Sequence, residues 1–125
     1  MKTIPFPTFR AAALLLPAAA GTAAHAHAQA PTPGFAPCAA CHATAPGKTS
    51  FGPNLRGVAG RKAASLPGYS YSPALKASGL TWDAATLDRW LTAPQKLVPG
   101  TKMPFPGIPD ATRRRQVVDY LLSLR

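Results

Sequence analysis

The chain has 125 residues, which is enough for one small domain. Its 14 lysine and arginine residues outnumber four acidic residues, giving a formal net charge of +10. So short a chain buries a limited fraction of its surface, and domains of this size often use a disulfide, a metal or a cofactor for stability. The basic balance favours acidic binding partners over basic ones.

Residues 1–28 have the layout of a cleaved secretory signal. Lys2 and Arg10 precede a short run of alanine and leucine, and the segment ends in repeated Ala-x-Ala. A membrane anchor is disfavoured, because Pro17 interrupts an apolar run that is well short of the ~20 residues a span needs. We therefore predict cleavage after Ala28 and a periplasmic location. The mature chain keeps 12 basic and four acidic residues. Export and the absence of a recognition motif argue against nucleic acid as a partner.

Three segments of the remaining chain are rich in proline or glycine. Residues 29–37 contain three prolines and predict a loose lead-in to a domain over residues 38–125. Residues 46–72 and 94–109 show neither a helical nor a strand period, which predicts turns and long loops.

Helix signals occur at three places. Ser72 followed by Pro73 predicts a short helix that Gly79 ends. Residues 83–93 place apolar side chains on one helical face, and a last helix begins at Asp110 and runs to the end of the chain. No strand pattern is present, so the sequence predicts an all-α fold of three to four short helices and no sheet.

The run Cys38-Ala39-Ala40-Cys41-His42 is a CxxCH motif, the pattern of covalent haem attachment. On a helical turn, side chains at i, i+3 and i+4 share a face. Both thiols can therefore add to the two vinyl groups of one haem while the adjacent imidazole reaches its iron. The motif predicts one haem c, bound by two thioethers from Cys38 and Cys41, with His42 as an axial ligand.

The two cysteines have three alternative roles. A disulfide between them would close so short a loop that it would restrain the unfolded chain little. A thioredoxin-like redox pair needs a βαβ context. A zinc site needs four ligands, whereas residues 29–125 offer two cysteines and one histidine. Haem attachment is the interpretation that the sequence favours.

Met103 is the one methionine of residues 29–125, which hold no second histidine. A lone methionine is more often core filling. Beside a haem that has one histidine ligand, however, its thioether is the soft ligand available for the sixth position. With both axial positions filled, the iron has no site for a substrate, which favours electron transfer over catalysis.

The chain resembles the class I cytochrome c family, particularly its mitochondrial-like and short bacterial members, from about Phe35 to Leu124. The resemblance is carried by CAACH, GPNLRGVAGRK, PGYSYSPALKASGLTW, VPGTKMPF and the terminal DYL. It implies a haem with one exposed edge, clasped between the His42 side and the Met103 loop. The first and last helices of such a fold cross behind the haem.

The resemblance also implies roles for five further residues. Pro53 resembles the proline whose carbonyl accepts a hydrogen bond from the ligating histidine. Arg61, Tyr71 and Trp82 resemble the donors to the buried haem propionates, which would be costly to bury unpaired. Thr101 resembles a threonine that hydrogen-bonds near the propionate on the methionine side. The simpler alternatives are a turn proline, a solvated arginine and core aromatics.

The chain departs from the family pattern in three respects. Proline-rich sequence replaces most of the first helix, so we expect a weak contact with the last helix near Tyr120. Leu75 stands where mitochondrial members usually have a buried asparagine, and Trp90 stands where many have tyrosine. Both replacements change the polar contacts beside the haem.

The predicted function is that of a soluble, monomeric carrier of single electrons, without enzymatic activity. A bound subunit of one oxidoreductase is an alternative. An enzyme or gas sensor is another, which the lack of an acid–base residue near Met103 disfavours. Basic residues on loops around the haem predict partners with acidic docking faces. They are Lys48, Lys62, Lys96 and Lys102.

Overall fold

The computed structural model describes residues 30–125, so the predicted signal segment, residues 1–28, lies outside the described residues. One 3-10 turn and five α-helices follow in order: Pro33–Phe35, then α1 Ala36–Ala39, α2 Pro73–Ala77, α3 Ala84–Thr92, α4 Pro94–Leu97 and α5 Ala111–Ser123. Residues 30–125 contain no strand, only an isolated antiparallel bridge between Lys62 and Thr81. The all-α prediction is confirmed. No helix in this range has the length and apolar character needed to cross a bilayer.

Side-chain caps begin the three predicted helices. The Ser72 hydroxyl accepts from the Leu75 amide of α2 at 3.1 Å. At the start of α3 the Asp83 carboxylate accepts from an amide at 2.7 Å, and the Asp110 carboxylate does the same for α5 at 2.6 Å. Each cap satisfies one of the first-turn N–H groups that have no partner inside the helix.

The proline-rich lead-in is more ordered than expected. Thr32 caps the 3-10 turn by accepting from the Gly34 amide at 3.2 Å, and Pro33 occupies a first position where no N–H is required. Phe35 is 2 % exposed and meets the ring of Tyr120 edge-on, with centroids 4.8 Å apart. The expectation of a loose lead-in is therefore wrong for residues 33–37, and a buried aromatic contact joins the two ends of the domain.

The segment after α3 also differs from expectation. Pro94 ends α3 and begins the single turn α4, because proline is tolerated at the first helical position. Further on, Gly107 has φ +111° and lies so close to the Thr92 carbonyl that a Cβ would collide with it. The next amide, that of Ile108, donates to Leu91 at 2.7 Å. The chain therefore leaves the C-terminal end of α3 at Pro94 and is bonded back to the same end of α3 at Ile108, after the segment that carries Met103.

The core lies between α3 and α5. An ion pair of 2.7 Å between Arg114 and Asp88 joins the two helices, and Arg114 also donates to the Ile108 carbonyl. This contact explains why an arginine is accommodated in the first turns of α5, where positive charge opposes the helix dipole. The buried hydrophobic side chains that the two helices contribute are Leu87, Trp90, Leu91, Val117, Val118, Tyr120 and Leu121.

Candidate haem site

A cavity of about 590 Å³ lies between the helices and the long loops. Its volume is in the range of cofactor sites, and its lining is mainly apolar with a few polar groups. All nine residues predicted to attach, ligate or hydrogen-bond the haem, or to orient its histidine ligand, line this one cavity. They are Cys38, Cys41, His42, Pro53, Arg61, Tyr71, Trp82, Thr101 and Met103.

The two thiols lie on and just after α1. The amides of Cys41 and His42 both donate to the Cys38 carbonyl, at 3.0 and 2.9 Å, which forms the predicted helical turn. Cys38 is half-buried, Cys41 is exposed, and neither is in a disulfide. Burial raises the pKa of the Cys38 thiol, with the neighbouring Cys41 adding to the rise and its own backbone opposing it. Two free thiols are therefore presented at the cavity wall.

His42 is held by a hydrogen bond to the Pro53 carbonyl, 2.8 Å from its Nδ1. A carbonyl can only accept, so Nδ1 carries the proton and Nε2 keeps its lone pair. Burial lowers the pKa of His42, although the bond to Pro53 opposes the effect, so burial favours the neutral ring. Gly52 allows this approach, because a Cβ there would lie 2.6 Å from Cε1 of the ring.

Asn54 shapes the loop that carries Pro53, and sequence reasoning missed it. Its Nδ2 donates to the carbonyls of Ala45 and Lys48, at 2.8 and 2.9 Å. Its Oδ1 accepts from the Arg56 amide at 2.8 Å, an Asx turn. The Gly-Pro-Asn run is a turn signal and could have identified this residue. The two long-range bonds, however, depend on the folded path of the loop.

Arg61 lines the cavity and donates two hydrogen bonds to the same loop. Its Nη1 donates to the Arg56 carbonyl at 3.1 Å and its Nη2 to the Asn54 carbonyl at 3.0 Å. A guanidinium has five N–H donors, so these bonds leave others available to a ligand. Burial raises the pKa of Tyr71, which Arg61 partly offsets. Tyr71 and Trp82 are each 8 % exposed and line the same cavity, and their side chains carry an O–H and an N–H group.

Tyr69 is a second residue that the sequence did not single out. Its ring meets Tyr71 edge-on, with centroids 4.7 Å apart, and its hydroxyl donates to the Phe51 carbonyl at 3.1 Å. The backbone at Phe51 is therefore fixed, yet its side chain is 90 % exposed at the cavity rim. No local sequence pattern predicts this hydrogen bond between Tyr69 and Phe51, because the two residues are 18 positions apart.

The segment that carries Met103 also lines the cavity. Thr101 is buried and Met103 is half-buried, both at the cavity. The Lys102 ammonium donates to the Ser70 carbonyl at 3.2 Å, across to the neighbouring loop. Gln95 donates to the carbonyls of Thr101 and Met103 at 2.9 and 3.0 Å. Nothing in the sequence pointed to Gln95, because one polar residue on a single helical turn has no pattern.

Leu75 and Trp90, the two departures from the family pattern, both line the cavity. They are 8 % and 7 % exposed, and Trp90 meets Trp82 edge-on with centroids 5.2 Å apart. A leucine has no polar atom, and the indole has only a donor. This part of the wall is therefore more apolar than the family pattern implies.

The donors and the shape of the cavity fit a covalently bound haem. Two free thiols, a neutral imidazole with an available Nε2 and a thioether surround a largely apolar space, with N–H and O–H donors for acidic groups. A zinc site would need four ligands. Within the described range, no three His, Cys, Asp or Glu side chains come close enough to share a metal.

Comparisons with known proteins agree with this chemistry. The chain is 56% identical over 92 residues to cytochrome c2 of Rhodoblastus acidophilus, which covers 73% of this chain and 86% of that protein. It is 43% identical over 92 residues to cytochrome c2 iso-2 of Magnetospirillum molischianum, covering 74% and 95%. Cytochrome cH from Methylobacterium extorquens has a similar structure, with a TM-score of 0.66 and 53% identity over 70% of this chain and 89% of that one.

No protein-family model matches the chain. The identities, which extend over 86% and 95% of the two cytochromes c2, nevertheless far exceed what a shared fold alone requires. We conclude that the chain belongs to the class I cytochrome c family, carries one covalently bound haem c and functions in electron transport.

Proposed function

We propose that the protein carries single electrons between redox partners in the periplasm, with its haem iron ligated by His42 and Met103. The observation that carries this proposal is that both side chains line the same cavity as Cys38 and Cys41. The relatives are named as cytochromes c2 and cH, and this role extends their electron-transport function to the present chain. The bound haem iron supplies one-electron redox chemistry.

The His42 geometry supports its role as a ligand. The Pro53 carbonyl orients the ring and fixes the proton on Nδ1, so Nε2 is free to bind a metal without first losing a proton. Burial, which lowers the pKa of the ring and so favours its neutral form, acts in the same direction. The chain thus presents a histidine that is already in its ligating form.

The Met103 loop supports a filled sixth position. Met103 is the one thioether among residues 30–125, and it lines the same cavity as Cys38, Cys41 and His42. Iron that is bound on both axial sides has no open position for a substrate or a gas, so this arrangement favours a carrier over an enzyme. Arg61, Tyr71, Trp82 and Thr101 are proposed as donors to the haem propionates, since a buried carboxylate needs hydrogen bonds.

The surface charge supports acidic partners. Lys48, Lys62, Lys96 and Lys102 are all exposed, and Lys102 lies at the cavity. Fields of one sign steer oppositely charged partners and give rates that fall with salt. We therefore propose a monomeric carrier that docks on acidic faces of its oxidoreductases, after removal of residues 1–28.

The first test is spectroscopic. The full chain, expressed in an export-competent bacterium, should keep its haem through acid–acetone extraction and show a sharp low-spin α band when reduced. Carbon monoxide should not bind the reduced protein at neutral pH. Haem that extracts would overturn covalent attachment, and ready binding of carbon monoxide would favour the enzyme or sensor alternative.

The second test measures whether basic residues near the cavity speed the reaction with a negatively charged partner. Oxidation of the reduced protein by ferricyanide, a small anion, should slow as ionic strength rises. Lys102→Gln should slow the reaction at low salt. Arg113→Gln is the matched control, because Arg113 is exposed but does not line the cavity. If the two variants slow the reaction equally, the net charge of the protein explains the rates and the proposed docking site near Lys102 is contradicted.

A further inference from the structure

Gln95 of α4 donates two hydrogen bonds to the segment that carries Met103. Its Nε2 lies 2.9 Å from the Thr101 carbonyl oxygen and 3.0 Å from that of Met103. A side-chain amide nitrogen has two hydrogens, so both are used. The reversed amide would place its oxygen against two carbonyl oxygens, which can only accept. The contacts themselves therefore fix the orientation of the amide.

Few other contacts hold this segment. Backbone bonds continue from α4 as far as Thr101, whose amide donates to Val98 at 3.1 Å. The next backbone bond in the described chain is from the Ile108 amide. Between these points two residues are prolines, which have no N–H group. Apart from the Lys102 contact to Ser70, the polar contacts of this stretch are those of Gln95.

We propose that Gln95 is a positioning residue that keeps the Met103 loop closed, so that the thioether stays on the iron. The inference rests on the proposed ligation by Met103. Gln95 is exposed and does not line the cavity, so it acts through the backbone carbonyls and not by touching the haem. Loss of its N–H donors should raise the fraction of molecules whose loop is open.

Imidazole reports that fraction, because it can bind the ferric iron only when Met103 has left. Its apparent affinity scales with the population of the open state. Gln95→Met keeps the side-chain length and removes both donors. We expect it to bind imidazole about tenfold more tightly than the unaltered holoprotein, from the net worth of two hydrogen bonds. The absorption band that arises from sulfur-to-iron charge transfer should weaken in parallel.

The two hydrogen bonds from Gln95 to the Met103 segment form a clamp. Two control variants separate loss of this clamp from the effects of a changed surface residue and of lowered stability. Gln116→Met makes the same chemical change on α5, where the side chain is exposed and does not line the cavity, and should leave imidazole affinity unchanged. Val117→Ala weakens the core without touching the clamp and should also leave that affinity unchanged. An increase in Val117→Ala that equals the increase in Gln95→Met would show that lost stability alone opens the loop, and would overturn the proposal.

Met103→Ala distinguishes failure of the clamp from failure of the ligand assignment. If that variant retains the charge-transfer band and the original imidazole affinity, Met103 is not the ligand and the proposed function is wrong in this respect. If the variant loses the band while Gln95→Met behaves like Gln116→Met, the ligand is right and the clamp is refuted.

Discussion

Two parts of the cavity wall are fixed in place by different interactions: the helical wall, formed by α3 and α5, and the loop wall, formed by the long loops that line the same cavity. The helices bury apolar side chains, with Val117 at 0 %, Leu87 at 3 % and Leu91 at 4 % exposure. The loops are tied by side chains that donate to distant carbonyls, as Asn54 does to Ala45 and Gln95 does to Thr101. Apolar burial has no preferred direction, whereas hydrogen bonds do. The loop wall, which positions His42 and Met103, therefore depends on particular polar residues.

Removal of the haem should have the largest effect, and it should fall mainly on the loop wall. An unfilled space of 590 Å³ would cost up to about 14 kcal/mol, which is comparable to the whole stability of a small domain. We expect the double variant Cys38→Ala/Cys41→Ala, expressed without haem, to lose cooperative thermal unfolding. Circular dichroism and amide exchange would measure this. Protected amides in residues 42–72 of the haem-free chain would contradict the expectation.

A cavity in the helical wall should have the next largest effect. Val117→Ala should lower the free energy of unfolding by about 2 kcal/mol, measured by denaturant titration of the holoprotein. The visible spectrum should not change. Val58→Ala is the matched variant, since Val58 is 3 % exposed but lines the cavity, and it should alter the spectrum as well. Equal spectral changes would show that the two walls are not independent.

Loss of one side chain that holds the loop wall by hydrogen bonds should have the smallest effect on the free energy of unfolding. Asn54→Ala removes three hydrogen bonds, all partly in contact with solvent, and should cost about 1–2 kcal/mol. Amide exchange should quicken locally at Gly52 and Leu55, which donate to Cys41 and Ala43 at 2.7 and 2.9 Å. Thr49→Ala, an exposed change in the same loop, is the control. Unchanged exchange at both amides would show that Asn54 does not shape the loop.

The two walls also differ in how well the sequence predicted them. The caps at Ser72 and Asp110 and the apolar face of α5 follow from local rules, and the structure confirms them. The expectation of a loose lead-in rested on three prolines that prevent a long helix, whereas burial of Phe35 against Tyr120 accompanies a short helical turn there. The single turn α4 was missed because four residues are too few to show a period.

The sequence by itself predicted the chemistry: the spacing of Cys38, Cys41 and His42 indicates haem attachment. The scarcity of other ligands makes Met103 the predicted sixth ligand, which stays a prediction. Those inferences need only the residue types and their separation along the chain. The tertiary structure alone decided that Asn54, Tyr69 and Gln95 hold the loops in place. Their acceptors are backbone carbonyls, which every residue has. The sequence therefore cannot show which ones a donor will reach until the fold brings them within hydrogen-bonding distance.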